Sequence, residues 1–192
     1  SFGGKRYQKS PDEYDLDIIN KLNSTNLFNF ELDRIKGGDE ISRLSKHGIE
    51  YGRELFFRRS RYVMDEIESN IGRDALFLIT AISQNSSMLY RFRLNGKGGT
   101  TSGTYYICST PQENNVFNSL DKKEKDIKKA LRLINDDQLV MTGSASDTGI
   151  KSNSIDYVFT DPPFGSNLMY SELNLMMETW LRVITNNKKE AI

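Results

Sequence analysis

The sequence predicts an α/β fold in which a mainly helical region is followed by a largely parallel sheet in the C-terminal part. Two short apolar runs of strand length, QLVMTG at residues 138–143 and IDYVFT at residues 155–160, are the first observation behind this prediction. The second is that a long charged helical pattern precedes these runs and an apolar helical pattern follows them. Apolar strands between helices are typical of sheets that helices cover. We therefore expect the sheet in the last third of the chain.

Two helical patterns open the chain. Ser10 followed by Glu13 is a capping-box pattern, which predicts a short helix over residues 14–22. Further on, an apolar stripe across residues 51–72 predicts an amphipathic helix, and Gly72 is placed to end it.

The middle of the chain contains two more helical patterns with a strand between them. Residues 73–92 predict a more buried helix, and Thr104–Cys108 predicts a short strand after a glycine-rich loop. Residues 112–135 predict a long charged helix, in which lysines such as Lys125 and Lys128 follow acidic residues at a spacing of four. We expect these charges to pair on an exposed helix face.

The last helical pattern is an apolar one over residues 167–184. Because the character of the chain changes before its last third, we divide it at residue 110. Residues 1–110 are expected to be mainly helical, and residues 111–192 are expected to contain the sheet. The sequence does not indicate an oligomeric state.

Composition excludes several classes of protein. The 26 basic and 26 acidic residues cancel, so no overall charge indicates a nucleic acid or a membrane as partner. One cysteine and one histidine cannot form an ordinary zinc site, so we expect no metal. Cys108 is the single cysteine, so an intrachain disulfide is excluded and we expect a cytoplasmic, reducing compartment. The sequence contains neither an apolar run that would span a bilayer nor a signal-peptide pattern, so we expect no membrane partner. The absence of an initiating methionine suggests part of a larger protein.

An acid, two prolines and an aromatic residue, Asp161, Pro162, Pro163 and Phe164, follow the second apolar run directly. Proline cannot donate to a strand ladder, so the pair ends the predicted strand in a rigid extended segment. Ligands of open α/β sheets collect beyond the carboxyl ends of the strands. There the Asp161 carboxylate and the Pro162 carbonyl suit an exocyclic amine, and the Phe164 ring suits the planar base that bears it.

A structural interpretation of the same four residues is a tight turn that ends a strand and buries Phe164. The strand before it, the apolar helix after it and the Gly165-Ser166-Asn167 joint favour the functional interpretation.

The segment DYVFTDPPFG, residues 156–165, resembles the catalytic motif of S-adenosylmethionine-dependent amino-methyltransferases that modify adenine N6 or cytosine N4 in DNA. Its continuation to the end of the chain resembles one branch of that family, the large bacterial adenine-specific methylases. Segments at residues 9–19, 46–67, 104–117 and 142–147 resemble the same branch in the same order. The resemblance implies a partial Rossmann-like methyltransferase sheet, S-adenosylmethionine as cofactor and DNA as partner. It also implies that residues 1–110 are an inserted region, which is a candidate to contact DNA.

Roles for individual residues follow from the resemblance only. The catalytic motif is Asp161, Pro162, Pro163 and Phe164, of which Asp161 and the Pro162 carbonyl accept hydrogen bonds from the target amine. The base extruded from the duplex stacks on Phe164. The residues implied to bind the substrate are Phe164, Gly165, Asn167 and Tyr170, and those implied to lie against the cofactor are Ser144, Asp147 and Asp161. Glu172 is a further candidate to face the substrate.

The chain departs from the family in one respect. The family binds the methionine part of the cofactor with a turn of the type Asp-Pro-Phe-x-Gly-x-Gly, and nothing in this sequence matches it. The glycine-rich NGKGGTTSG at residues 95–103 is more typical of a hairpin loop. The resemblance therefore implies an incomplete cofactor pocket and an inactive chain in isolation.

Two other functions stay open. RNA-base and protein-glutamine methyltransferases share the chemistry but usually place asparagine at the first motif position, where this chain has Asp161. The second is a nucleic-acid-binding module that transfers no methyl group. An arginine cluster would suit either a DNA-phosphate surface or a solvated polar face, and it comprises Arg53, Arg58, Arg59 and Arg61.

Overall fold

Regular secondary structure in the described part of the chain is helical. The structure is a computed structural model, and it describes residues 8–27, 30, 34–94, 98–133, 139–141, 143, 145, 147–161, 168–186 and 188. Its helices are α1 (Glu13–Ser24), α2 (Ser42–Ser45), α3 (Arg58–Ile71), α4 (Ala75–Ser86), α5 (Val116–Leu131), α6 (Tyr170–Leu173) and α7 (Leu175–Leu181), with a 3-10 helix at Gly52–Leu55.

The expected parallel, Rossmann-like sheet is wrong for this part of the chain. Residues 155–160 form no strand and pair with none within the described ranges, and Tyr157 and Phe159 are 80% and 81% exposed. Val140, in the first apolar run, is 91% exposed. Thr104–Cys108 is not a strand either. Among described residues, extended pairing is limited to isolated antiparallel bridges such as Arg34 with Tyr51 and Phe56 with Ser87.

The α/β prediction failed because an apolar run shows only that a segment has the composition of a buried strand. Strand formation also requires a neighbouring strand to accept and donate the ladder hydrogen bonds, and that partner is distant in sequence. Helices depend on local hydrogen bonds, so their patterns in the same sequence were more informative.

The N-terminal cap of helix α1 lies two residues later in the chain than its sequence pattern indicated. Asp12 is the N-cap residue, and its carboxylate accepts a hydrogen bond from the Asp15 N–H at 3.2 Å. The Asp15 carboxylate accepts one from the Asp12 N–H at 3.0 Å, which completes a capping box. The predicted pair of Ser10 and Glu13 is therefore wrong. Asp12 and Asp15 form the two reciprocal hydrogen bonds of the capping box instead, two residues further along the chain.

Helices α3 and α4 cover most of the region expected to hold them. Gly72 ends α3 as predicted, with a φ of 84° and its N–H donating to the Glu68 carbonyl at 2.8 Å. Only glycine adopts this backbone conformation without strain. The amphipathic helix is shorter than residues 51–72, because the Tyr51 end of that pattern turns into the 3-10 helix.

The hydrophobic core joins residues from both ends of the chain. Fully buried side chains come from α2, the 3-10 helix, α3, α4 and α7, and they include Leu44, Leu55, Met64, Ile79 and Trp180. The Phe56 and Trp180 rings pack edge to face with their centres 5.4 Å apart. The division at residue 110 stays a prediction, but α7 shares one core with the helices before that residue.

Helix α5 packs on α4 with its N-terminal end and carries the expected charge pairs. Asn115 caps it by accepting the Asn118 N–H at 3.0 Å, and Val116 is buried. Lys125 binds Asp121 at 2.8 Å, and Lys128 binds Glu124 at 2.6 Å. This confirms the predicted spacing-of-four pairs.

None of the helices in the described ranges is long and apolar enough to span a bilayer.

Candidate functional site

Asp161 is the first residue of the predicted catalytic motif and directly follows the exposed segment 155–160. Its side chain is exposed to solvent. Pro162, Pro163, Phe164, Gly165 and Asn167 lie outside the described residues. The chain is described again from Leu168, so the geometry available for the site is that of Asp161 and of the segment that follows the motif.

Helix α6 begins at Tyr170, three residues after the undescribed part of the motif loop. Tyr170 is 48% exposed, so its ring is accessible from solvent. Gly103, with a φ of +69°, lies beneath the start of this segment: a Cβ there would stand 2.7 Å from Leu168 Cδ2. The chain leaving the motif therefore passes over a glycine that has no side chain to obstruct it.

Glu172 has a structural contact that the sequence did not indicate. Its carboxylate accepts hydrogen bonds from three consecutive backbone N–H groups: Asp39 at 3.2 Å, Glu40 at 2.7 Å and Ile41 at 3.1 Å. A carboxylate bound to N–H groups in this way forms charge-assisted hydrogen bonds, which are stronger than neutral ones. Its acceptor atoms are thus bound to the protein backbone, and the prediction that Glu172 faces a substrate stays a prediction.

Tyr105 explains why the apolar helix expected over residues 167–184 is divided into α6 and α7. Its hydroxyl donates to the Leu173 carbonyl at 2.8 Å and accepts from the Met176 N–H at 3.2 Å. These two backbone groups would otherwise take part in the helical hydrogen-bond ladder, and a side chain inserted there interrupts a helix. Burial raises the pKa of the Tyr105 hydroxyl, so it remains a proton donor.

A small cavity lies beside α6 and α7. Its volume is about 230 Å³, and it is lined by Arg34, Lys36, Gly37, Ile41, Ser171, Glu172, Leu175, Glu178, Ile184 and Thr185. This volume is below the ~300 Å³ at which pockets for drug-sized ligands begin. Its lining also mixes acidic and basic side chains, so it does not select a ligand charge.

The residues implied to bind the cofactor do not form a pocket in the described part of the chain. Asp147 and Asp161 are both exposed, and neither lines the cavity beside α6. Ser144 lies outside the described residues. Among those described, Asp147, Asp161 and Tyr170 make no hydrogen bond or ion pair with one another. The described residues thus show no cofactor pocket, and S-adenosylmethionine as cofactor stays a prediction.

The arginine cluster divides into two exposed and two buried side chains. Arg58 donates to carbonyls at the C-terminal end of α1, those of Leu22 at 2.9 Å and Thr25 at 2.7 Å among them. Arg59 binds the Glu113 carboxylate with two nitrogen atoms, at 3.2 and 2.7 Å. Both guanidinium groups thus have partners within the protein, which leaves them poorly placed to bind phosphate.

Arg53 and Arg61 are buried against the acidic face of α3. Arg53 pairs with Asp65 and Glu68, and Arg61 pairs with Asp65. Burial raises the pKa of the Asp65 carboxyl, because desolvation outweighs the opposing effect of the two guanidinium groups. Burial likewise lowers the pKa of Arg61. These arginines belong to the core, so neither predicted interpretation of the cluster describes them.

No protein-family model, curated protein or solved structure matches the chain.

Proposed function

We propose that the chain carries the catalytic motif of a DNA methyltransferase that acts on the exocyclic amine of adenine (N6) or cytosine (N4), with S-adenosylmethionine as methyl donor. The observation that carries this proposal is the sequence Asp161-Pro162-Pro163-Phe164, with an exposed carboxylate at its first position and an anchored helical segment after it. The accessible ring of Tyr170 at the start of α6 is consistent with a base nearby.

The chemistry assigned to this chain concerns the target base. The Asp161 carboxylate and the Pro162 carbonyl would accept the two N–H hydrogens of the amine and orient the nitrogen lone pair, which is otherwise delocalised into the ring. Phe164 would stack on the extruded base. Catalysis of this type depends on orientation and on fixed dipoles, and it needs no covalent enzyme intermediate.

Removal of the Asp161 carboxylate tests the proposal. We would incubate the intact protein with labelled S-adenosylmethionine and mixed-sequence DNA, and identify the modified nucleoside by mass. We expect Asp161→Ala to lower the rate of methyl transfer by at least about 100-fold, since it removes a group that orients the amine. Asp121→Ala is the control, because Asp121 is an exposed acid on α5 and lies outside every segment that resembles the methyltransferase family.

The outcome also separates the alternatives. Methylated adenine or cytosine that is lost only with Asp161→Ala supports the proposal and identifies the target base. Transfer to RNA or to protein glutamine, with none to DNA, favours the related methyltransferases. DNA binding without any methyl transfer favours a non-catalytic nucleic-acid-binding module.

A further inference from the structure

A polar cleft lies between α4 and the N-terminal part of α5. Its volume is about 360 Å³, which is within the range of about 300–1,000 Å³ that is usual for ligand sites. Ile82 is the only aliphatic residue among the described residues that line it, and asparagine amides, two lysines and a carboxylate line most of the rest. A ligand of this cleft must therefore be polar, because an apolar one would leave these groups without hydrogen bonds.

Hydrogen bonds between asparagine side chains and their neighbours fix the walls of the cleft. The Asn114 amide nitrogen donates to the Asn85 carbonyl at the C-terminal end of α4, at 2.6 Å, and the Asn114 amide oxygen accepts from the Gln112 side chain at 2.9 Å. Asn115 caps α5 by accepting the Asn118 N–H at 3.0 Å. These contacts join the end of α4 to the start of α5, so the cleft is formed without a ligand.

The lysines of α5 differ in whether they have a partner. Lys125 and Lys128 each pair with the acid four residues before them, whereas Lys122 and Lys123, which line the cleft, form no ion pair with another described residue. Asp126 does lie four residues after Lys122, but helical pairs favour the acid on the N-terminal side of the lysine. Both ammonium groups in the cleft are thus available to a ligand.

Other groups in the cleft also favour an anion. The side-chain amides of Asn85 and Asn118 line it and have no hydrogen-bond partner in the part of the chain that the structure describes, and each offers two N–H donors. The cleft lies towards the positive end of the α5 dipole, and the first turn of α5 contains no acidic residue. Asp126 is the one carboxylate on the described lining, and the two lysines outweigh its charge.

We propose that the cleft between α4 and α5 binds a phosphate group through Lys122, Lys123 and the amides of Asn85 and Asn118. A phosphate carries negative charge and several acceptor oxygens, so it can use ammonium and amide donors together, and hydrogen bonds of this kind are charge-assisted. The phosphate belongs either to the DNA backbone or to a free nucleotide. This inference goes beyond the proposed function and does not rest on it. Asp161 does not line the cleft, so a DNA phosphate bound here would position the duplex without contacting the catalytic motif.

The first test removes both unpaired lysines from the intact protein, as Lys122→Gln with Lys123→Gln. Binding to a fluorescein-labelled DNA duplex is measured by fluorescence anisotropy at several salt concentrations. We expect this double variant to bind DNA about 10-fold more weakly at low salt, because charge-assisted hydrogen bonds to a phosphate are lost. The logarithm of its association constant should also fall less steeply with the logarithm of salt concentration, with a slope smaller by about 1, as for the loss of one phosphate contact.

Lys125→Gln with Lys128→Gln is the matched control. It removes the same number of charges from the same helix, but these two lysines are paired with acids and do not line the cleft. Its affinity for the duplex should stay within about twofold of the wild type. Equal losses in the two double variants would overturn the site, because they would show a general effect of charge.

A variant with the opposite expected sign is Asp126→Asn. It removes the carboxylate from the cleft and keeps both lysines, so an anion in the cleft should bind about threefold more tightly once the like charge is gone. Because Asp126 is exposed, the substitution should not disturb the fold. If Asp126→Asn bound the duplex, the nucleotide and inorganic phosphate no more tightly than the wild type, the cleft would not be the phosphate site.

Titrations with adenosine monophosphate and with inorganic phosphate distinguish the two sources of the phosphate. The NMR signals of the Asn85 and Asn118 side-chain amides should shift in the wild type and stay unchanged in the Lys122→Gln, Lys123→Gln variant. If the nucleotide shifts these signals and the duplex affinity does not depend on the two lysines, the ligand is a free nucleotide. If the duplex, the nucleotide and inorganic phosphate all bind independently of the two lysines, the proposal is wrong. None of these measurements uses methyl transfer, so a protein that transfers no methyl group would overturn the proposed function alone.

Discussion

The guanidinium carbon of Arg53 lies 4.4 Å from the centre of the Trp180 ring. The same guanidinium group also lies over the Phe30 ring, whose centre is 4.9 Å from that carbon. With the carboxylates of Asp65 and Glu68 on its nitrogens, Arg53 is only 3% exposed. The 3-10 helix, α3 and α7 therefore meet at a buried cation whose charge is balanced from α3.

Replacement of Arg53 by alanine should strongly destabilise the fold. It would remove the buried cation from Asp65 and Glu68, leaving them only Arg61 and Arg182 as partners, and breaking a buried ion pair typically costs about 3–5 kcal/mol. We expect a fall of that size in the free energy of unfolding, measured by urea denaturation. Arg59→Ala is the control, because Arg59 is exposed and its pair with Glu113 is worth at most about 1 kcal/mol. If Arg53→Ala and Arg59→Ala lowered the free energy of unfolding equally, burial of Arg53 would not be what makes its ion pairs stabilising.

Tyr105→Phe should weaken the junction between α6 and α7. The change leaves the buried Met176 N–H without its acceptor, at a cost of about 1–3 kcal/mol in the free energy of unfolding. The neighbouring Tyr106 is half exposed, so Tyr106→Phe should change stability by less than about 0.5 kcal/mol. Denaturant titration of both variants measures the difference. A Tyr105→Phe protein as stable as the wild type would show that another acceptor replaces the hydroxyl.

The same hydroxyl should make stability depend on alkaline pH. Burial raises the Tyr105 pKa above its ordinary value of about 10, so the unfolded chain loses this proton first as pH rises. The contribution of this hydroxyl to the free energy of unfolding is fully present below about pH 10. Above that pH it falls by up to about 1.4 kcal/mol per pH unit. The stability difference between wild type and Tyr105→Phe should therefore shrink between about pH 9 and pH 11. A difference that stays constant over that range would contradict a raised pKa.

Gly52 is a position where even one added carbon should be harmful. A Cβ would stand 2.9 Å from Thr179 Cβ and 3.0 Å from its hydroxyl oxygen, between the 3-10 helix and α7. We expect Gly52→Ala to cost about 1–3 kcal/mol in the free energy of unfolding, as overpacking of a core does. Gly99→Ala, where nothing lies within 4 Å of the added carbon, should be close to neutral in the same thermal or urea measurement. A neutral Gly52→Ala would show that the two helices can separate without loss.

The sequence predicted helices well because their signals are local. Gly72, the lysine pairs of α5 and the existence of α3, α4 and α5 all follow from residues within a few positions of one another. The strand over residues 155–160 did not form because an apolar run contains no information about a partner strand.

The contacts beyond the motif could not be predicted from the sequence. Glu172 binds amides more than 130 residues away, and Tyr105 reaches Met176 across 71 positions. Neither residue lies in a recognisable pattern for such a contact. The glycine pair Gly37-Gly38 predicts a turn, and a glycine also permits the close approach of another group. The group that approaches is visible only in three dimensions.

The contact of Arg58 with α1 has a consequence for the order of folding. Helix α1 has no buried residue, and the carbonyls at its C-terminal end are bound by a guanidinium group from the first residue of α3. Helix α1 can acquire this cap only after α3 has formed, so it should join late, after the transition state for folding. Arg58→Ala should then accelerate unfolding and leave the folding rate almost unchanged in stopped-flow experiments.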